Sequence, residues 1–497
     1  MKKIALLTLT ILPLLFINCS KSSSDPEPGP NPSVTLDNEI NDFVWKGLNS
    51  WYNWQADVPN LADSKDDVQD DYYTYLNGYS SPTDLFDALL YNYGTTDRFS
   101  WFVDDYVVQN QQFQGISKSL GLRLQGVQID NTGSNSDRII FYVRYVAPNS
   151  PASDAGIQRG DIINALNGTV MNVGNYYTVV GALDNDTVTM SFVQNDGSTF
   201  IEDKTVTAVE LSVNPVYYSK VFNDIGGKKV GYLVYTAFQS SYNDELNAAF
   251  ADFKNQGIDE LVLDLRLNGG GSVLTSAYLA SMIDANAAAG VFANLKFNSK
   301  HSNENGAYYF DDNLNIYDVN GTKTGEEPIS RLTTLNRIYV LTSSSTASAS
   351  EMIINGLIPY MTVIKIGTTT YGKNVGSITL YDSPSSDYTN IATANSAHKN
   401  AMQPIVFQIY NKNNQSDYTQ GFTPDIEVKE WQYWDNILPF GDENEVILKA
   451  ALDNIRGVAS KSARDAKIDT RILPEITELQ PRFEKEMYID TDFFNKN

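Results

Sequence analysis

Apolar positions recur along this chain with more than one period. In the first hundred residues the period is helical: Ile40, Phe43, Val44 and Leu48 fall at i, i+3, i+4 and i+8, with Trp45 and Trp51 nearby. Pro82 to Tyr93 repeats it, with proline just inside the start and Leu85, Leu89 and Leu90 on one face. From Ile116 to Leu211 the pattern alternates apolar and polar in places, and Arg138-Ile139-Ile140-Phe141-Tyr142-Val143 predicts a strand. From Val216 to Ile455 predicted strands and helices take turns, the signature of an α/β layer fold. Val230 to Phe238 predicts a strand, and Asp244 to Lys254 a helix with Leu246, Phe250 and Phe253 inward. Glu260 to Leu267 is a near-continuous apolar strand of the kind buried on both faces, and Arg337–Leu341 and Val363–Ile366 look alike. The expected architecture is multidomain α+β: a helical N-terminal domain (35–115), a β-rich domain (116–211) and an α/β domain (212–460). Residues 461–497 read as polar and irregular, with no role assigned.

Composition adds exclusions. With 497 residues, 42% hydrophobic and 12% aromatic, the chain can bury more than one core. A net charge of −24 with no basic stripe argues against nucleic acid. The sole cysteine, Cys19, excludes an internal disulfide framework, and with only His301 and His398 besides, no metal or other cofactor is expected. Lys2 and Lys3 precede an apolar run, Ile4 to Ile17, that matches a signal h-region and is short for a bilayer span. That run ends at Asn18-Cys19, and a Ser/Pro-rich stretch, Ser20 to Ser33, follows. The arrangement resembles a bacterial lipoprotein, although Asn18 replaces the usual small residue. The resemblance implies a signal peptide (1–18), a tether (19–34), lipidation of Cys19 and anchorage to a membrane of the cell envelope, facing either the periplasm or the surface. An ordinary secretory signal with an incidental cysteine is the alternative.

Within the β-rich region lies Val146-Ala147-Pro148-Asn149-Ser150-Pro151-Ala152-Ser153-Asp154-Ala155-Gly156-Ile157, then Gln158-Arg159-Gly160-Asp161-Ile162-Ile163 and Leu166-Asn167-Gly168. These segments resemble a PDZ domain. The resemblance implies that Ser-Pro-Ala starts a short helix, that Gly-Asp-x-Ile opens a strand, and that Leu120, Gly121 and Leu122 form the peptide-binding carboxylate loop. A peptide would then add as a strand to the sheet edge.

Two segments of the α/β region could carry chemistry. Leu263-Asp264-Leu265-Arg266-Leu267-Asn268-Gly269-Gly270-Gly271-Ser272 runs a strand into three glycines, which let successive N–H groups converge on one oxygen. No Gly-Lys-Ser/Thr follows, so a nucleotide loop is disfavoured, while a plain turn stays open. Thr342 to Glu351, TSSSTASASE, joins a predicted strand to a predicted helix, where small residues let a hydroxyl approach a substrate. Lys373 follows 25 residues after Ser348, in Thr370-Tyr371-Gly372-Lys373-Asn374-Val375-Gly376.

In this order, the glycine loop, the Ala-Ser-Ala-Ser-Glu segment and the Gly-Lys pair resemble the C-terminal processing (tail-specific) serine proteases, as does Gly421-Phe422-Thr423-Pro424-Asp425-Ile426. The resemblance spans roughly 38–455. It implies a helical N-terminal region, a PDZ domain and an α/β protease core of the ClpP/crotonase-like kind. It also implies Ser348 as nucleophile and Lys373 as base, with N–H groups of Ala349 and of Gly270 or Gly271 as oxyanion hole. The expected activity is that of a serine endopeptidase acting on protein or peptide substrates with free C-termini. Many relatives carry Gln four residues past the lysine; here Ser377 stands there, so Ser377 or Glu351 would orient the amine. For Glu351 a helix-start charge is the simpler reading. Both histidines read as solvated loop residues, and Asp97-Arg98-Phe99-Ser100-Trp101 as structural packing. Two rivals remain: a catalytically idle peptide-binding lipoprotein, and a glycan binder using Trp51, Tyr52 and Trp54.

Overall fold

The computed structural model describes residues 33–284, 289–458, 470–477 and 485–489. The expected signal, Cys19 and the expected tether up to residue 32 lie outside the described residues. At the centre is a six-stranded sheet in the order Val216–Ile225, Lys228–Tyr235, Glu260–Asp264, Arg337–Thr342, Thr362–Gly367 and Ile426–Glu427. Its inner strands are parallel, and Glu260–Asp264 is buried on both faces, as its unbroken apolar run requires. One face packs against the helices Asn243–Gln256, Val273–Ile283 and Ala349–Leu357, and the other against Val446–Ile455.

A second six-stranded sheet orders Gly271–Ser272, Met487–Tyr488, Val375–Ser377, Ile405–Tyr410, Val291–Phe297 and Gly306–Tyr309. It stands beside the ends of the central strands, so the glycine loop and the Lys373 loop both run into it. The residues read as a polar, irregular tail therefore contain two strands. Met487–Tyr488 lies within this sheet, and Arg471–Thr477 lies elsewhere, along the β-rich domain. Both pair with segments more than one hundred residues away, and neither carries a period of its own.

The N-terminal helix Glu39–Trp51 forms as predicted, capped by Asn38, whose side chain accepts from the Ile40 N–H. The predicted helix from Pro82 stops at Ala88, after which Asn92 and Gly94 adopt positive φ in a turn. These helices do not enclose a core of their own. Phe43, Val44, Trp45, Leu48, Leu85 and Phe86 belong to one apolar cluster with the helices of the α/β domain, and Trp101–Val103 pairs with Ala401–Gln403. Trp51 and Tyr52 are buried in that packing.

The β-rich domain has its own core, built on Leu122–Gln128, Ile139–Val146, Ile162–Leu166, Thr187–Val193 and Phe200–Thr207. Ser150 caps a short helix, Pro151–Asp154, through a reciprocal bond with Ser153. Gly160 holds φ +94, and a Cβ there would meet the Ile437 carbonyl oxygen at 2.6 Å, so this glycine also permits contact with the α/β domain. The contact is charged and buried: Arg144 and Arg159 of the β-rich domain pair with Glu430, which also receives Arg266.

Candidate active site

Ser348 is the N-cap of the helix Ala349–Leu357, with φ +63 and ψ −118. A non-glycine residue in that region stores strain, here in the loop that joins the central strand Arg337–Thr342 to the helix. Ser348 is fully buried, and its Oγ is among the buried polar atoms without a hydrogen-bond partner. Gly270 lies against it. A Cβ on Gly270 would fall 2.7 Å from Ser348 Cβ and 3.1 Å from Ala349 N, so only glycine lets this loop close onto the serine.

Glu351 ties the serine to the lysine loop. Its Oε2 accepts from the main-chain N–H of Ser348 at 3.0 Å and of Lys373 at 2.8 Å. Its Oε1 accepts from Gly372 N–H and Thr370 Oγ1. Burial pushes the Glu351 carboxyl up to about 7, against those four donors. It thus binds three main-chain N–H groups and one hydroxyl, and no described hydrogen bond takes it to the Lys373 amine.

Lys373 is fully buried, with Nζ 2.6 Å from Glu486 Oε2 and 4.8 Å from the Phe99 ring centroid. Burial lowers its pKa from the ordinary lysine value, and the Glu486 charge opposes that. Ser377 donates to the other oxygen of Glu486 and accepts from Gln403 Nε2 at 2.7 Å. Gln403 therefore brings a glutamine amide to Ser377 from a later strand. Arg98 donates to the Gly372 carbonyl at 2.8 Å, and Asp97 accepts from Tyr52, Phe99 and Ser100, so this segment props the lysine loop as well as packing.

Of the glycine-loop N–H groups, Gly270 donates to Asn268 Oδ1 and Gly271 donates to the Glu486 carbonyl at 2.8 Å. The Leu120–Leu122 loop lies close by. Ser119, Gly121 and Leu122 share with Gly269, Gly270, Gly271 and Tyr488 the lining of one cavity of about 180 Å³. The histidines stand apart from this cluster and are half-buried, a correction to their reading as solvated. His301 stacks on Trp51 at 3.5 Å and meets Ser50, and His398 pairs with Asp382. Among the described residues no group of His, Cys, Asp and Glu could hold a metal.

The residues missed by sequence reasoning are Glu486, Gln403 and Arg98. Arg98 lies in the Asp97–Trp101 segment, read only as packing; Gln403 sits at a strand end with no motif around it, and Glu486 lies in the segment read as irregular. Among the described residues no helix is long and apolar enough to cross a membrane.

Residues 229–428 match the model of peptidase family S41, 39–101 that of the peptidase S41 N-terminal domain, and 142–193 that of the PDZ domain. The chain belongs to peptidase family S41. It is 24% identical over 273 residues to the carboxyl-terminal-processing protease of a Picosynechococcus species, covering 54% of this chain and 59% of that protein. It is 26% identical over 252 residues to the chloroplastic carboxyl-terminal-processing peptidase 2 of Arabidopsis thaliana, covering 49% of this chain and 43% of that one. The matches thus span about half the length of these relatives. Among solved structures, a Bacteroides fragilis protein named for the S41 proteases aligns over 86% of this chain and 99% of its own, at 26% identity and a TM-score of 0.63. The helical region, PDZ domain and S41 core are thus those of the expected multidomain fold.

Proposed function

We propose that this chain is an exported serine endopeptidase that cuts through a Ser348–Lys373 dyad and an acyl-enzyme. The observation that carries this reading is the single Glu351 oxygen bonded to the main chain of both residues, which ties the loop of a buried lysine to a buried serine whose hydroxyl has no hydrogen-bond partner. Neutral Lys373 takes the Ser348 proton as Oγ attacks the scissile carbonyl. The tetrahedral oxyanion receives N–H groups of Gly271 and Ala349, aided by the dipole of the helix that Ser348 caps. Gly270 serves by absence of a side chain. The Lys373 ammonium returns its proton to the leaving amine as the C–N bond breaks, and then activates the water that frees Ser348. For this, Nζ must leave Glu486, and Ser377, backed by Gln403, is the neighbouring group that orients it.

In this reading 116–211 captures polypeptide substrate by strand addition near Leu120, Gly121 and Leu122, 212–460 cuts it, and lipidated Cys19 holds both at a cell-envelope membrane. The test is cleavage of an unstructured protein with a nonpolar C-terminus by the full chain, Ser348→Ala and Lys373→Ala. Hydrolysis should fall by at least about 10³-fold in each variant. An inert wild type that still binds the C-terminal peptide would instead favour the idle scaffold.

A further inference from the structure

We propose that residues 471–477 and 485–489 are this enzyme's own bound ligand: the first fills the PDZ edge and the second the catalytic cleft, and together they hold the enzyme closed and mark its substrates as extended polypeptide segments that bridge the same two places. The inference rests on the protease reading above and adds to it the regulation and substrate class of the same site.

At the PDZ domain, Arg471–Thr477 adds antiparallel to the edge strand Leu122–Gln128, with Ile472 opposite Val127, Ile476 opposite Leu124 and Thr477 opposite Arg123. Its C-terminal end therefore points toward the Leu120–Leu122 loop, the polarity of a peptide captured by strand addition. The chain does not stop there: Lys485 follows eight residues after Thr477. The edge thus holds the interior of a polypeptide, with no terminal carboxylate in the loop.

At the cleft, Met487 pairs in parallel with Gly271, and Tyr488 with Ser272 and Ser377. The Glu486 carbonyl sits on the Gly271 N–H, the donor assigned to the oxyanion. A Cβ on Gly270 would lie 2.6 Å from that carbonyl oxygen and 2.7 Å from Ser348 Cβ, so tail carbonyl and serine flank one glycine. The Glu486 side chain takes the Lys373 amine, leaving Ser348 without its base. The segment is firmly seated: Met487 and Ile489 join the main core, Tyr488 stacks on Phe113 at 4.3 Å and donates to its carbonyl, and Lys485 lies over Tyr371. The cavity between the PDZ loop and the glycine loop connects the two places. A substrate must displace the tail from both. Its backbone repeats the same pairings, and lacking an acidic side chain at the Glu486 position it leaves Lys373 free to act.

The test compares the full chain with full-length Glu486→Ala and Met487→Asp, each also carrying Ser348→Ala as a control. Two quantities are read: turnover of an unstructured, fluorescently labelled protein, and hydrogen exchange of amides in 471–477, 485–489 and 122–128. In wild type those amides should be protected. Both variants should expose them and raise Ser348-dependent turnover at least tenfold. Tail amides that exchange in wild type as fast as free chain would overturn the inference. So would a wild type as active as the variants, which leaves the protease reading intact. A Glu486→Ala chain that is slower with its tail still protected would make Glu486 a positioning residue and end the inference as well. If the variants free the tail and none cuts, the protease reading fails and the inference with it.

Discussion

Lys373 can serve as a base because its surroundings disfavour the ammonium. Burial lowers its pKa, while the carboxylates of Glu486, Asp97 and Glu351 work against burial; the Phe99 face is its other neighbour. Glu486 is the closest of the three charges and stabilises the ammonium most, so its removal lowers the pKa further. The sign follows: the acid limb of kcat/KM, set by deprotonation of Lys373, should lie at higher pH in wild type than in Met487→Asp, where the tail is displaced. A pH profile of both chains checks this, and coincident limbs would show that Glu486 does not face the working lysine. Ser348 and Lys373 were legible because each sits in a short local motif with small neighbours. Glu486 was not: it contacts Lys373 across 113 positions, from a stretch whose sequence shows no period. Gln403 was hidden in the same way, supplying from another strand an amide where the sequence shows only Ser377.

At the scale of elements, the site is two loop-to-helix and loop-to-strand junctions clamped by one carboxylate. Glu351 caps the start of its own helix and reaches the Thr370–Lys373 loop, leaving no slack between the main chains of Ser348 and Lys373. Its reading as a helix-start charge therefore describes one of its four hydrogen bonds, the one from Ser348 N–H. Glu351→Ala would leave buried N–H groups of Ser348, Gly372 and Lys373 without acceptors. It should lower stability by about 3 kcal/mol, read by urea denaturation, and kcat by at least about 10²-fold at unchanged KM. The central strands were legible because strands buried on both faces are continuously apolar, as in Glu260–Asp264. The tail strands were not. Arg471–Thr477 contains Pro474 and Glu475, and Met487–Tyr488 is two residues long, so the partner strand defines each of them.

On the scale of the whole molecule, the PDZ domain is fixed to the core by a buried charge cluster. Glu430 is the hub: burial pushes its carboxyl up, but the guanidiniums of Arg159, Arg266 and Arg144 prevail and hold it well below the usual carboxylate range. Arg266 also meets Asp264 and Glu445, and it directly precedes the segment leading to the glycine loop. Glu430→Ala removes the carboxylate shared by the buried Arg144, Arg159 and Arg266 guanidiniums, so stability should fall by about 3–5 kcal/mol in denaturant titration. A loss below about 1 kcal/mol would mean that the cluster is hydrated and the two domains are loosely joined. The three-part order was legible from its patterns, but the sharing of one core between the N-terminal helices and the protease was not, since periodicity shows which face is apolar and not what covers it.

The central claim is that Ser348 attacks with Lys373 as its base. Its most direct measurement is mass spectrometry of the intact chain after incubation with a peptidyl phosphonate that reacts with activated serines, using wild type, Met487→Asp and each of these carrying Lys373→Ala. The account predicts one adduct, mapped to Ser348, forming faster in Met487→Asp than in wild type and absent when Lys373 is alanine. An adduct on another residue, or on Ser348 at an undiminished rate without Lys373, would contradict it.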